Sequence, residues 1–304
     1  MKNMSRRKIF LWGMTMFLGL IAMVLMVQII YEDNIYAKYE DELKETYGIN
    51  VSKDNCSDEA KMDYELVFSQ NQELINENLE VISNCIKQLP EGLISDIGAE
   101  AYISLKDGKY SYTLNALEAA EGYSTPAYPE KNIHLVLCES VYRGEDECGG
   151  YTAYGEEETF IVLALGSEKT IEENFYHEFF HALEMKSAYT VYVGKFTAFL
   201  GWQEYNPENY EYSKGDANEY ILGTAESVED VYFISEYATK NQKEDKADLF
   251  AYMMVMDNQE EFEKLMEYPH IKAKVQFMSD IIMEAFPSMT EDNCFQWQRW
   301  LMQK

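Results

Sequence analysis

The chain has 304 residues, of which 47% are hydrophobic and 14% aromatic, and this composition indicates a folded protein with a sizeable core. Its formal net charge of -29 argues against nucleic acid as a partner, because that affinity depends on Lys and Arg side chains that neutralise phosphates. The length fits one large domain, or one domain with a smaller accessory segment.

The N-terminal region contains an apolar stretch at residues 9–30, which holds a single Gln and no charge. About 20 such residues are enough to cross a bilayer as a helix. Basic residues precede the stretch and acidic residues follow it, and the exit lacks a small-residue cleavage site. We therefore predict a cytoplasmic tail at 1–8, a retained transmembrane signal anchor at 9–30, and a single-pass protein of the cell membrane whose remaining chain lies outside.

The segment after the anchor is acidic and has helical periodicity, which predicts a helical stalk or subdomain at residues 31–92. The Pro and Gly at 90 and 92 favour a boundary there, so that the main domain spans 93–304. Disulfides persist in exported proteins, and Cys138 and Cys148 flank a short turn-like stretch that would allow them to pair. Sequence alone leaves the connectivity of the five cysteines open.

The main domain begins with strand patterns and ends with helical ones. Strands are predicted at 101–105, 132–138, 149–155 and 158–165. A helix is predicted over 167–186, with Thr170 and Glu173 at the spacing of a capping box. An aromatic, Gly-containing loop region follows, and further helices are predicted at 242–256, 258–267, 272–285 and 291–303.

The helix at 167–186 carries the motif HEFFH. On a helix, His177 and His181 project from the same face and are able to bind one zinc ion. Glu178 is then placed to take a proton from a water molecule and pass it to a leaving amine, as in metallopeptidases. The competing interpretation is a pair of core histidines beside a surface glutamate. Metzincins are excluded, because the position of their third histidine is Ser187.

Zinc requires a third protein ligand, and the sequence offers two candidates. Glu244 and Asp248 are four residues apart on a predicted helix, so that Glu244 would bind the metal and Asp248 would accept a hydrogen bond from a ligand histidine. Equally, Asn241 and Glu244 have the spacing of a capping box, and Asp248 would then lie on a solvated face. His270 is the other possible ligand.

The segments HEFFHALE and SEYATKNQKEDKADLF together resemble the anthrax lethal factor-type zinc peptidases and their bacterial relatives. The resemblance covers about residues 95–257 and includes the stretch WQEYNPENYEY, which is similar to a motif of many bacterial members. It implies Glu244 as the metal ligand, Asp248 beside it in place of the more usual Glu, and Tyr237 as the residue that stabilises the transition state. Phe180 departs from the Gly of lethal factor.

The resemblance also implies that the strand GGYTAYG forms the sheet edge above the metal and is able to pair with an extended peptide. The equally good alternative is an ordinary edge strand without that role. The sequence therefore predicts an α+β, zincin-like metallopeptidase domain with a small mixed sheet, an active-site helix and C-terminal helices. The expected function is zinc-dependent hydrolysis of an extracytoplasmic peptide or protein. The alternative is a non-catalytic, zinc-containing peptide-binding or sensor domain on the cell surface.

Overall fold

The computed structural model describes residues 6–106, 109–113, 123–190, 199–213 and 217–303. The α-helices in these ranges are α1 Arg6–Tyr47, α2 Asp58–Lys61, α3 Gln72–Lys87, α4 Leu93–Gly98, α5 Ile171–Thr190, α6 Gln242–Met254, α7 Gln259–Leu265, α8 Pro269–Ala285 and α9 Gln296–Met302. The strands are β1 Asn50–Ser52, β2 Glu65–Val67, β3 Ala101–Lys106, β4 Lys109–Thr113, β5 Tyr123–Tyr128, β6 Asn132–Cys138, β7 Ser140–Arg143, β8 Asp146–Cys148, β9 Gly150–Tyr154 and β10 Glu158–Ala164. The predicted α+β class is confirmed.

The central sheet is mixed and has the strand order β1-β6-β10-β9. Strands β1 and β10 both run parallel to β6, whereas β9 pairs with β10 in the antiparallel sense. Strands β6 and β10 are buried over most of their length, which explains their nearly continuous apolar sequences. Within the described residues, β9 forms one edge of this sheet.

Helix α5 packs on the central sheet through the aromatic residues of its buried face. Phe175, Phe179 and Phe180 are each no more than 1% exposed and belong to the main hydrophobic cluster. The predicted capping box is present, because the Glu173 amide donates to the Thr170 hydroxyl while the Thr170 amide donates to the Glu173 carboxylate. The helix therefore begins at Ile171, after the cap, rather than at 167.

Helix α1 continues from the apolar stretch into the folded body. Its part Leu20–Tyr47 includes a window of mean hydropathy 1.4, of which 7% is buried, so that α1 is long and apolar enough to cross a membrane. A signal sequence near an N-terminus has the same properties. Farther along the helix, Tyr36 and Leu43 are buried in the main core.

The segment predicted as a stalk or subdomain contributes directly to this core. Strand β1 pairs with β6 in the central sheet, and β2 pairs with β7 in a second sheet. Leu79 and Ile82 of α3 are fully buried in the same cluster as the aromatic residues of α5. Residues on both sides of position 92 thus share one hydrophobic core.

The cysteine pairing considered from the sequence is wrong. All five cysteines lie in the described ranges, and all five are free thiols. The stretch between Cys138 and Cys148 is not a simple turn, because it forms the antiparallel hairpin β7–β8. Gly144, with a φ of +66°, lies in the hairpin loop, where left-handed backbone favours glycine. Cys138 itself is fully buried at the end of β6.

Candidate metal centre

The HEFFH motif lies within α5, as predicted, and both histidine rings line one cleft. His177 is buried and His181 is half-buried, and their ring centroids are 5.0 Å apart. The cleft has a volume of about 990 Å³ and is bounded by β9 on one side and by the start of α6 on the other. The four-residue helical spacing thus places both imidazoles side by side at the cleft floor.

Glu244, in the first turn of α6, points to both histidines. Its Oε2 lies 2.9 Å from His177 Nε2 and 3.7 Å from His181 Nε2. The donor atoms of the three residues all lie within 4.8 Å of one another. Burial alone would raise the pKa of Glu244, but the hydrogen bonds with His177 and His181 lower it well below its usual range. The structure therefore brings the predicted ligand group together.

Glu244 takes part in the alternative capping arrangement only through its backbone amide. Asn241 is the N-cap of α6, and its side-chain oxygen accepts hydrogen bonds from the amides of Lys243 and Glu244. The Glu244 side chain does not complete the box but turns into the cleft. Cap and ligand positions are therefore compatible, because the amide and the carboxylate of one residue point in different directions.

The other two histidines of the chain lie elsewhere. The His270 ring stacks on Tyr232 with a centroid separation of 3.8 Å, outside the ligand group. His134 lies on the sheet, where its ring nitrogens are 2.8 Å from the Ser52 hydroxyl and 3.2 Å from Glu158. Between the two candidates for third ligand, the geometry favours Glu244 over His270.

Asp248 lies one helical turn after Glu244, on the other side of the His177 ring. Its Oδ1 is 3.5 Å from His177 Nδ1 and accepts a hydrogen bond of 2.8 Å from Lys169, while the Ser235 hydroxyl donates to Oδ2. Burial opposes ionisation, but the contacts with His177 and Lys169 lower the pKa of Asp248 to about 2. Burial also opposes charge on His177, yet Asp248 and Glu244 raise its pKa to about 9. The two carboxylates hold the ring from both edges.

Glu178 lies between the histidines and β9. The Thr152 hydroxyl of β9 is 2.8 Å from the Glu178 carbonyl oxygen and 3.0 Å from its Oε2. The Glu178 side chain is buried, and this burial raises its pKa, although the two histidines oppose the shift. A carboxylate with a raised pKa beside a metal group is suited to take up and release a proton.

Tyr237 lies in a short 3₁₀ turn, Tyr237–Thr239, directly before α6. Its ring centroid is 5.6 Å from that of His177, and the ammonium groups of Lys240 and Lys169 lie 4.1 and 5.1 Å from the ring. Partial desolvation of its side chain and the nearby Glu244 raise the pKa of Tyr237, so that it remains a protonated donor. Tyr237 thus lines the cleft beside His177, His181 and Glu244.

Three residues that the sequence did not single out also shape the site. Thr152 contacts Glu178, Lys169 contacts Asp248, and Gly150 allows β9 to approach α5, because a Cβ there would lie 3.1 Å from Glu178 Cγ and 2.5 Å from the Val162 oxygen. The glycine pair in GGYTAYG was the available signal. Thr152 and Lys169 have no local pattern, since their partners are far away in sequence.

The donor set fits zinc. Two imidazole nitrogens and one carboxylate oxygen are the ligands of one class of catalytic zinc site, in which the fourth position stays open. Asp248 beside Nδ1 of His177 is the kind of outer carboxylate that orients a ligand histidine. The cleft above these residues is large enough to admit a bound molecule.

Comparisons with known proteins find a similarity in structure but none in sequence. No protein-family model matches the sequence, and no curated protein matches it. The chain is similar in structure to a crystal structure from Bacteroides caccae, provisionally described as a zinc-binding metallo-peptidase, with 15% identity, a TM-score of 0.45, and coverage of 90% of this chain and 92% of that one.

Proposed function

We propose that the protein is a zinc-dependent peptidase of the lethal factor type, with His177, His181 and Glu244 as the zinc ligands. The observation that supports this most directly is the convergence of their donor atoms within 4.8 Å, beside the buried carboxylate of Glu178. Glu178 lines the same cleft but is not one of the three converging ligands, so it is left to act on water and substrate. A purely structural zinc site would close all four positions with protein ligands.

Zinc, when bound, acts as a Lewis acid that activates water and polarises a carbonyl group. Glu178 takes a proton from the attacking water on its carboxylate and returns it to the nitrogen of the leaving amine. Thr152 holds one edge of that carboxylate. Tyr237 donates from its hydroxyl to the oxygen that becomes negatively charged, and the nearby Lys169 and Lys240 add positive charge at this rim.

We further propose that the substrate is a peptide or protein outside the cytoplasm. The apolar part of α1 serves in this proposal as a single transmembrane anchor at residues 9–30, with a basic tail inside the cell. The edge strand β9 lines the cleft, and in this proposal its outer edge pairs with an extended peptide. A peptide bound to β9 would then pass over His177, His181 and Glu244.

The test is to purify the full-length protein in a mild detergent, measure its zinc content, and assay cleavage of a peptide library by mass spectrometry. For Glu178→Gln we expect unchanged zinc content and a loss of cleavage of at least about 1,000-fold, since the proton acceptor is removed while the ligands remain. Glu168→Gln, which changes another carboxylate lining the cleft, is the matched control and should retain cleavage. An active Glu178→Gln enzyme would refute the proposal, and a wild type that binds zinc but cleaves nothing would favour the sensor alternative.

A further inference from the structure

Next to the metal ligand Glu244, the side chain of Asp245 points away from the cleft into the protein and is 1% exposed. Its Oδ2 accepts three hydrogen bonds: from Trp202 Nε1 at 2.7 Å, from the Tyr212 hydroxyl at 2.7 Å, and from Lys274 Nζ at 2.8 Å. The Tyr212 hydroxyl in turn accepts from the Asn206 amide at 2.8 Å. We call these four donors, Trp202, Asn206, Tyr212 and Lys274, the Asp245 cradle.

Three members of the cradle, Trp202, Asn206 and Tyr212, come from the stretch WQEYNPENYEY. Within the described residues, this stretch makes no hydrogen bond with the proposed zinc ligands His177, His181 and Glu244. The same stretch also reaches the turn that carries Tyr237. The Tyr210 hydroxyl donates to the Thr239 carbonyl at 3.4 Å, and the amide of Ser213, the residue directly after the stretch, donates to it at 3.2 Å. One segment therefore contacts both the turn before α6 and the first turn of α6.

A stability role alone is a weak explanation for this arrangement. Asp245 and Lys274 are a buried ion pair, with side chains 2% and 0% exposed. The desolvation of two charges largely offsets their attraction, so that such pairs are often replaceable by apolar residues without loss of stability. The three donors do, however, fix the orientation of the Asp245 carboxylate, because only one orientation satisfies all three hydrogen bonds.

That direction bears on the metal ligand through helix geometry. Residues 244 and 245 are neighbours on α6, about 100° apart around its axis. A carboxylate lies about 6 Å from the axis, so a helix rotation of about 20° would move it by about 2 Å, whereas metal–ligand distances vary by only about 0.2 Å. Fixing the rotation of α6 through Asp245 therefore fixes the position of the Glu244 carboxylate.

We propose that the Asp245 cradle positions Glu244 for metal binding and that Asp245, Trp202 and Tyr212 are positioning residues of this site. The inference rests on the proposed function, since it assigns these residues to a zinc ligand. It gives the WQEYNPENYEY stretch a physical role that does not involve contact with substrate or metal.

The test measures the zinc dissociation constant of the full-length protein in detergent by competition with a chelator. Tyr212→Phe removes one donor to Asp245, and we expect it to weaken zinc binding about 10-fold, as is typical for outer partners of a metal site. Asn206→Ala removes the donor to the Tyr212 hydroxyl but leaves the Tyr212–Asp245 bond in place, so we expect a smaller change in the same direction. The visible absorption of the cobalt-substituted protein should change in Tyr212→Phe, because it reports ligand geometry.

The control is Tyr36→Phe, the same substitution at a buried tyrosine of α1, a helix that carries none of the proposed ligands. It should leave zinc affinity unchanged. The decisive comparison repeats Tyr212→Phe in a Glu244→Ala background, where it should have no further effect because the residue it positions is gone.

Wild-type zinc affinity in folded Tyr212→Phe and Asn206→Ala would overturn the inference but not the proposed function. An equal loss in Tyr36→Phe, or an undiminished effect in the Glu244→Ala background, would also overturn it, because the change would then not act through Glu244. Absence of zinc binding by the wild type would overturn both proposals.

Discussion

Glu244 shows how one residue serves a helix and a site at the same time. Its amide donates to Asn241, which caps α6, while its carboxylate lies 2.9 Å from His177. The sequence spacing was compatible with either a cap or a ligand, because both use the same short interval. Only the direction of the side chain separates the two roles, and that direction depends on the packing of α6 against α5.

At the same scale, Tyr237→Phe tests the role of the hydroxyl. If Tyr237 donates to the developing negative charge, kcat should fall by about 100-fold while KM and zinc content remain unchanged, since the interaction strengthens only in the transition state. Peptide cleavage kinetics provide the measurement. Tyr252→Phe is a matched control, because both tyrosines are 37% exposed and Tyr252 lies farther along α6. Equal activity of the two variants would remove Tyr237 from the mechanism.

At the scale of elements, the contact between β9 and α5 depends on Gly150. A methyl group there would lie 2.5 Å from the Val162 oxygen and 3.1 Å from Glu178 Cγ. For Gly150→Ala we expect a loss of about 1–3 kcal/mol in the free energy of unfolding, because the strand must move away from its neighbours. Cleavage should fall as well, since Glu178 borders this contact. Denaturant unfolding and cleavage rates measure the two effects.

The comparison for this prediction is Gly223→Ala. Gly223 has a φ of +85° and no atom within 4 Å of an added methyl, so that substitution strains only the backbone. It should destabilise the protein without a matching loss of cleavage by the remaining folded molecules. If Gly150→Ala behaves in the same way as Gly223→Ala, the close approach of β9 is not important for the site.

The elements also differ in how well their sequences predicted them. The predicted strand at 132–138 matches β6, whereas the helix predicted from 167 begins at Ile171, directly after the capping box at Thr170. The hairpin β7–β8 was missed, because strands of four and three residues are too short to show periodicity. Strand β1 was missed for the same reason, with three residues that pair with a strand more than 80 positions later.

At the scale of the whole molecule, the described part of this strongly acidic protein contains three buried lysines. Lys186, Lys246 and Lys274 are each no more than 1% exposed in a protein whose formal net charge is -29. Burial lowers the pKa of Lys186 to about 7, although Asp96 and Glu100 oppose the shift. Its ammonium donates to the Ala99 carbonyl, next to α4. The overall acidity therefore says little about the interior.

Lys186 gives a prediction about pH and stability. Between about pH 7 and its ordinary pKa of 10.5, the unfolded chain binds more protons than the folded one, so the free energy of unfolding should rise with pH. Compared with Lys186→Met, the wild type should gain about 1 kcal/mol per pH unit over that interval. Denaturant unfolding from pH 7 to 10 measures the difference between the two proteins. Parallel curves would mean that Lys186 keeps an ordinary pKa.

The shared core predicts that residues 31–92 are required for folding. A chain that begins at residue 93 lacks β1 and the buried face of α3, so it should lose cooperative unfolding and resistance to protease. A chain that begins at residue 31 keeps the buried Tyr36 and Leu43 and is the control that should stay folded. Circular dichroism during heating compares the two. A folded, active chain from residue 93 would instead identify the preceding segment as removable.

The sequence by itself determined the elements whose information is local: the apolar stretch at the N-terminus, a capped helix, predicted at 167–186 and observed at 171–190, and the pair of histidines four residues apart on it. These follow from composition, capping and helical period, which act over a few neighbouring residues. The tertiary structure decided the third member of the ligand group, the free state of the cysteines, and the contacts of Thr152 and Asp245. Those depend on which distant segments meet, and packing of the whole chain sets that.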